Sequence, residues 1–133
     1  MQAEQAKWLL TDILRNKLGF DGLVVADYGS ITHAHKRYKV AEDLKAAAIL
    51  ALQAGMDVEQ PGKQCYQHLV EAVEAGDIDR TDIDTSVRRG LEMKFTLGLF
   101  ENPYEDGDFA YEISKTGCIY WRILPGYSIE GCL

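Results

Sequence analysis

Apolar residues recur at Ala6, Leu9, Leu10, Ile13, Leu14 and Leu18, the spacing of a one-sided helix running from Ala3 to Leu18. Gly19 supplies the left-handed residue that commonly stops such a helix. After Phe20-Asp21-Gly22 comes Leu23-Val24-Val25-Ala26, a short, continuous apolar run rich in β-branched residues. Continuous rather than alternating apolarity suits a parallel strand covered on both faces. The run breaks at Asp27-Tyr28-Gly29-Ser30, and a basic loop, His33 to Lys39, follows. Val40, Leu44, Ala47, Ala48, Ala51 and Leu52 then predict a second helix closed by Gly55. Met56-Asp57-Val58-Glu59 reads as a second short strand, ended by Pro61-Gly62. A third helix is expected from about Gln64 to Ala75, with Gly76 as its stop. Thr81, with Asp84 three residues later, reads as an N-cap in a variant capping box. Ile83, Val87, Leu91 and Phe95 would line one side of a fourth helix ending at Gly98.

Helices alternating with short apolar strands make an α/β pattern with parallel strands. Two strands leave both sheet edges unpaired. The pattern therefore reads as part of a larger doubly wound sheet or barrel.

Composition narrows the function classes. The 133 residues are 47 % hydrophobic and 26 % charged, as in an ordinary globular protein. A formal charge of -7 argues against nucleic-acid and anionic-membrane partners, which select a positive face. The basic run His33-Ala34-His35-Lys36-Arg37-Tyr38-Lys39 reads as a solvated loop. No signal-peptide pattern follows Met1, and no apolar stretch approaches the ~20 residues that span a bilayer. A soluble chain, cytoplasmic by default, is expected. Cys65, Cys118 and Cys132 lack zinc spacing and read as reduced, structural thiols.

Active residues in barrels and open α/β sheets gather beyond the carboxyl ends of strands. Asp27 has that place in the sequence, although an Asp ending a strand also serves as a turn or cap residue. Asp57 and Glu59 lie inside the second strand candidate and read as polar groups satisfied by neighbouring backbone. His33 and His35 form an HxH pair without a third ligand at useful spacing, so no metal site is assigned. His68 reads as a surface or satisfied histidine.

Two stretches carry a resemblance. Leu9-Leu10-Thr11-Asp12-Ile13-Leu14-Arg15, followed by Leu18-Gly19-Phe20-Asp21-Gly22-Leu23-Val24-Val25-Ala26-Asp27-Tyr28-Gly29-Ser30-Ile31, resembles the family 3 glycoside hydrolase pattern LLTDILR…GFDGLVVSDWGAI. Lys39-Val40-Ala41-Glu42-Asp43 with Ala51 to Glu59 is similar to that family's following helix and last barrel strand. Ala75 to Asp79, Ile83-Asp84, Val87-Arg88-Arg89 and Lys94 to Tyr104 resemble the closing helix and exit of its catalytic barrel. The likeness covers roughly residues 5–105 and is nearest the β-glucosidase and β-xylosidase members.

The resemblance implies an α/β fold that is an incomplete fragment of a (β/α)8 TIM-like barrel, its last two strands with their helices. Residues 1–104 would be the C-terminal portion of that barrel domain. Residues 105–133, with Ile119 to Leu124 as a strand or short helix, have no counterpart there. A frame change or premature end in the coding sequence would explain such a tail.

The implied reaction is retaining hydrolysis of β-glucosides or β-xylosides, in carbohydrate catabolism, with no cofactor. Asp27 would attack the anomeric carbon, and water would release the sugar from the covalent intermediate. Tyr28 stands where the family commonly has Trp and would stack on a sugar face; as a plain core aromatic it would lie under a loop. Ala26 replaces the commoner Ser. Gly90 stands where a bulky apolar residue is usual, at a cost of about 1 kcal/mol relative to Ala. No acid/base is recognisable in the chain, so the chain alone is expected to be inactive or nearly so. The expected partners are β-linked oligosaccharides or aryl glycosides, with self-association through exposed barrel edges. The rival reading is a small non-catalytic α/β module that binds a protein partner.

Overall fold

The computed structural model describes residues 7–104 together with 107 and 111, so the Ala3 to Ala6 part of the expected first helix lies outside the described residues. Contacts divide the chain into one unit, Met1–Leu97, and a second, Gly98–Leu133. Of the second, residues 98–104 carry a turn in which the amides of Glu101 and Asn102 donate to the Gly98 carbonyl. The tail from Asp108 onward, including Cys118, Cys132 and the Ile119–Leu124 run, lies outside the described residues apart from position 111.

The first helix, Trp8–Lys17, is wound as a π-helix, with Leu18 N–H donating five residues back to Ile13. The apolar rhythm predicts an α-helix here, and the wider winding changes which residues share a face. Leu10 is buried and Leu14 packs against the core, whereas Leu18 is exposed.

Leu23–Ala26 and Met56–Glu59 run side by side as a parallel pair. Val25 bridges Val58, Ala26 N–H donates to Val58 O at 2.8 Å, and Val58 N–H donates to Val24 O at 3.2 Å. The contact is one bridge long, so among the described residues it makes no extended strand, and the unit is helical by content.

Within residues 7–104, four α-helices are described: α1 (Ser30–Lys36), α2 (Leu44–Ala54), α3 (Leu69–Glu74) and α4 (Arg80–Thr96). A 3-10 turn, Tyr66–His68, leads into α3. Helix α1 corrects the sequence reading, which made His33 to Lys39 a loop. Ser30, Ile31, Thr32 and Ala34 are buried along it, a mixed polar and apolar face that no hydrophobic rhythm announces.

Helix α2 is the centre of the packing, touching α1, α3, α4, the π-helix and the 3-10 turn. It starts where the Asp43 side chain caps the Ala46 amide and stops at Gly55, whose φ is +102°. Its buried face is Ala47, Ala48, Ala51, Leu52 and Ala54. Such small side chains allow close approach, and larger ones from neighbouring segments fill the space: Ile31, Met56, Leu69 and Ile78.

One further expectation is corrected at α4. Its N-cap is Asp79, whose Oδ1 accepts from both the amide and the hydroxyl of Thr81. Asp precedes Thr in cap strength, and the residue that bonds inward is the one with extended φ/ψ. The apolar stripe on this helix is partly buried only at its start. Ile83 packs against the core, but Val87, Leu91 and Phe95 are exposed. Gly90 faces Leu23, and a methyl there would sit 3.8 Å from Leu23 Cδ1, an ordinary contact, so space does not demand glycine.

Candidate functional site

The two ends of the parallel pair have different chemistry. At the carboxyl end, Ala26 is buried and the next residue, Asp27, turns out of the pair and is exposed. Its Oδ1 accepts from the Tyr28 amide at 2.7 Å, and its carbonyl accepts from the Ser30 amide at 3.0 Å. Gly29 follows with φ +72°, the left-handed residue that turns the chain into α1. Its amide donates to Gln60 O at 3.0 Å, which ties this turn to the end of the second segment. Asp27 therefore stands on a strand-to-helix turn anchored on both sides. Tyr28, beside it, is 70 % exposed and is not a core aromatic.

Glu59, on the second segment, has both carboxylate oxygens engaged by backbone amides. Cys65 N–H donates to Oε1 at 2.9 Å, and Tyr66 N–H donates to Oε2 at 2.8 Å. That agrees with its reading as a backbone-satisfied strand-end residue. Tyr66 donates its hydroxyl to Met56 O at 2.7 Å. Burial, followed by the Asp57 and Glu59 charges, pushes the Tyr66 hydroxyl far above its ordinary value. Burial first, then Glu59, pushes the Cys65 thiol up to about 12. Neither is a poised nucleophile.

At the opposite, amino end the structure shows what sequence reasoning missed. Asp57 has a side chain 0 % exposed and is held by two guanidinium groups. Arg15 Nη2 donates to Oδ2 at 2.6 Å and Arg89 Nη1 donates to Oδ1 at 2.8 Å. The Val24 amide donates to Oδ2 at 2.9 Å. Arg15 reaches further, donating to Gly22 O and Gly55 O at 2.9 and 3.3 Å. Its Nε is buried without a hydrogen-bond partner, against Gly55, where a Cβ would lie only 3.1 Å from Thr11 Oγ1. The available signal was a buried strand carboxylate with arginines in the flanking helices. An open cleft of about 320 Å³ lies beside this cluster, lined by Arg15, Phe20, Asp21, Arg88, Arg89 and Glu92 among others. Asp27 and Tyr28 do not line it.

The histidines form no constellation. His35 Nδ1 lies 3.2 Å from Ala41 O, His33 meets the Tyr38 ring edge-on, and His68 sits 3.8 Å from Glu71. Among the described residues no three His, Cys, Asp or Glu side chains gather as a metal site would need.

With that geometry in hand, the pattern of the "Glycosyl hydrolase family 3 N terminal domain" matches residues 1–93. The chain belongs to glycosyl hydrolase family 3. A putative β-xylosidase of Formosa agariphila is 43 % identical over 98 residues, covering 74 % of this chain and 13 % of the relative. A β-glucosidase structure from Erythrobacter marinus superposes with a TM-score of 0.79 at 32 % identity, over 84 % of this chain and 15 % of that one. The β-glucosidase of Listeria innocua, solved with glucose, gives 0.74 at 36 % identity over 78 % and 14 %. A mutant of the same enzyme was solved with laminaribiose. The chain thus spans about one seventh of the length of these family 3 relatives.

Proposed function

We propose that this chain carries the nucleophile of a retaining family 3 β-glucosidase or β-xylosidase, and that Asp27 is that nucleophile. The observation that carries the reading is the place of Asp27. It leaves a parallel-paired segment at its carboxyl end, on a turn fixed by Gly29 and Gln60. In α/β barrels that end is where the chemistry sits. The parallel pair with its helices is, in the same proposal, the last two β/α units of an eightfold barrel. Family membership and superposition on β-glucosidases support it. Residues 105–133 fall outside that domain in this reading.

The substrate class follows from the relatives' names and from the glucose and laminaribiose in the Listeria innocua structures. The Asp27 carboxylate attacks C1 of a β-linked glucose or xylose and expels the leaving oxygen, and water then hydrolyses the ester with retention. Tyr28, exposed next to Asp27, offers its ring to the sugar. A carboxylic acid must protonate the leaving oxygen, about 5–5.5 Å from the nucleophile in retaining enzymes. Glu59 is not free for that role, because backbone amides occupy its oxygens. Losing acid assistance removes about 10²–10⁴ in rate, so the 133-residue chain alone is slow or inert on ordinary glycosides. Self-association belongs to the same proposal, supported by the exposed apolar residues Val25, Val87 and Leu91.

A pair of substrates tests it. Dinitrophenolate leaves without protonation, so a 2,4-dinitrophenyl β-glucoside or β-xyloside should release it slowly from the intact chain. The Asp27→Asn variant should release none, and 4-nitrophenyl glycosides should not turn over measurably. Release that persists in Asp27→Asn, or none above the spontaneous rate from the intact chain, overturns the nucleophile. Brisk Asp27-dependent turnover of the 4-nitrophenyl substrates overturns the missing acid.

A further inference from the structure

We infer that Asp57, clamped between Arg15 and Arg89, sets the register of the parallel pair and is thereby a positioning residue for Asp27. The inference rests on the reading of Asp27 as nucleophile only for its functional consequence, since the register itself is a property of the fold.

Backbone pairing alone fixes the register weakly here. The pair is one bridge long, held by the Ala26, Asp57 and Val58 amides and, further on, the Gly29 amide. Such main-chain bonds recur along any two parallel segments, and a slip of one residue turns every side chain to the opposite face. The alternation at stake is visible. Val25 and Asp27 are exposed while Ala26 is buried, so a one-residue slip would carry the Asp27 position inward.

The clamp, by contrast, exists in a single alignment. Asp57 Oδ2 accepts the Val24 amide and Arg15 Nη2 together, while Oδ1 takes Arg89 from α4. Arg15 also holds the carbonyls of Gly22 and Gly55, the residues leading into the two segments. Moving either segment by one residue breaks several of these charge-assisted bonds at once and strands a carboxylate that has no access to water. Fixing register is the best-attested use of buried ionic groups, whose net contribution to stability is otherwise small or negative.

The test uses the full 133-residue chain, isotopically labelled, with amide exchange and carboxyl resonances followed by NMR. Arg89→Gln removes one arm of the clamp from its more exposed side, and Arg89→Lys keeps a charge there. In Arg89→Gln, exchange at Ala26, Gly29 and Val58 should quicken by about tenfold or more, while Ala48 and Leu52 in α2 change by less than about twofold. The Asp27 Cγ resonance should move with it, and Arg89→Lys should restore both. Uniform acceleration that includes α2 would mean the clamp is only a stabiliser and would overturn the inference, as would unchanged exchange at the pair. The readout needs no substrate. A failed dinitrophenyl assay would therefore remove the chemical role of Asp27 and leave the register result standing, and the converse also holds.

Discussion

Two alanine substitutions of similar chemistry separate a buried α1 position from an exposed position on the apolar stripe of α4. Ile31 on α1 is 2 % exposed, and Val87 on α4 is 54 % exposed. Ile31→Ala deletes a buried branch among α2 and its neighbours and should cost about 3–4 kcal/mol, within the range for core Ile to Ala changes. Val87→Ala removes two carbons worth ~0.8 kcal/mol each when fully buried, so at about half burial the loss is ~0.7 kcal/mol. Alanine returns up to ~0.7 kcal/mol in helix propensity at that position, which brings the net change to roughly zero. Were the stripe buried, the same change would cost about 1.5–3 kcal/mol. Urea unfolding followed by far-UV circular dichroism, at two protein concentrations to expose any contribution from association, measures both. In thermal melts each kcal/mol lost lowers the midpoint by about 4–8 °C for a unit of this size. A Val87→Ala cost above ~1.5 kcal/mol, or an Ile31→Ala cost below ~1 kcal/mol, would refute the exposure argument.

Two further predictions concern titratable groups. The Cys65 thiol, pushed up to about 12 by burial and by Glu59, is almost wholly protonated at pH 8. Iodoacetamide should therefore leave Cys65 unmodified in the folded chain and alkylate it in urea, read by peptide mapping at that residue; equal rates in both states would contradict its burial. Asp79 is held below the usual carboxylate range by the Thr81 amide, then by the Thr81 hydroxyl. A depressed folded value means that the cap's contribution is present above the unfolded pKa of about 3.9 and is lost as pH falls through the folded value. The Thr81 amide resonance should accordingly move with acid in the native chain and not in Asp79→Ala, and an identical titration in both would remove Asp79 as the cap.

Much of the architecture was legible because glycines mark the ends of elements. Gly19, Gly55, Gly76 and Gly98 all adopt positive φ where a stop was expected, and the two strand candidates do pair in parallel, over a single bridge. The position of Asp27, directly after the first paired segment and exposed, is the one its place in the chain implied; its chemical role belongs to the proposed function. The misses share a physical origin. Helix α1 buries Ser30 and Thr32 beside Ile31 and Ala34, so its inward face is not apolar and periodicity cannot find it. The Val87–Leu91–Phe95 stripe has the right spacing but faces outward, because spacing reports that residues share a face and not what covers it. The Arg15–Asp57–Arg89 cluster joins residues 42 and 32 positions apart, and pairwise distances of that kind are set by the fold.

The contrast between the two carboxylates ties these observations together. Asp57 obtains every donor it needs from within the unit: two arginines and the Val24 amide. It can therefore hold the pair together whatever surrounds the unit, and it is too enclosed to meet a substrate. Asp27 has the reverse character, with the Tyr28 amide on one oxygen and an exposed side chain at the rim. A nucleophilic carboxylate requires a site that excludes water and presents preorganised donors to the sugar. In the proposed function those groups come from the remaining length of the family 3 fold, of which this chain spans about one seventh. The unit's own contribution is then positional: an amino end clamped by Arg15 and Arg89 on Asp57 sets the register of the turn at the other end, so that a carboxylate with few partners of its own is still presented in one place.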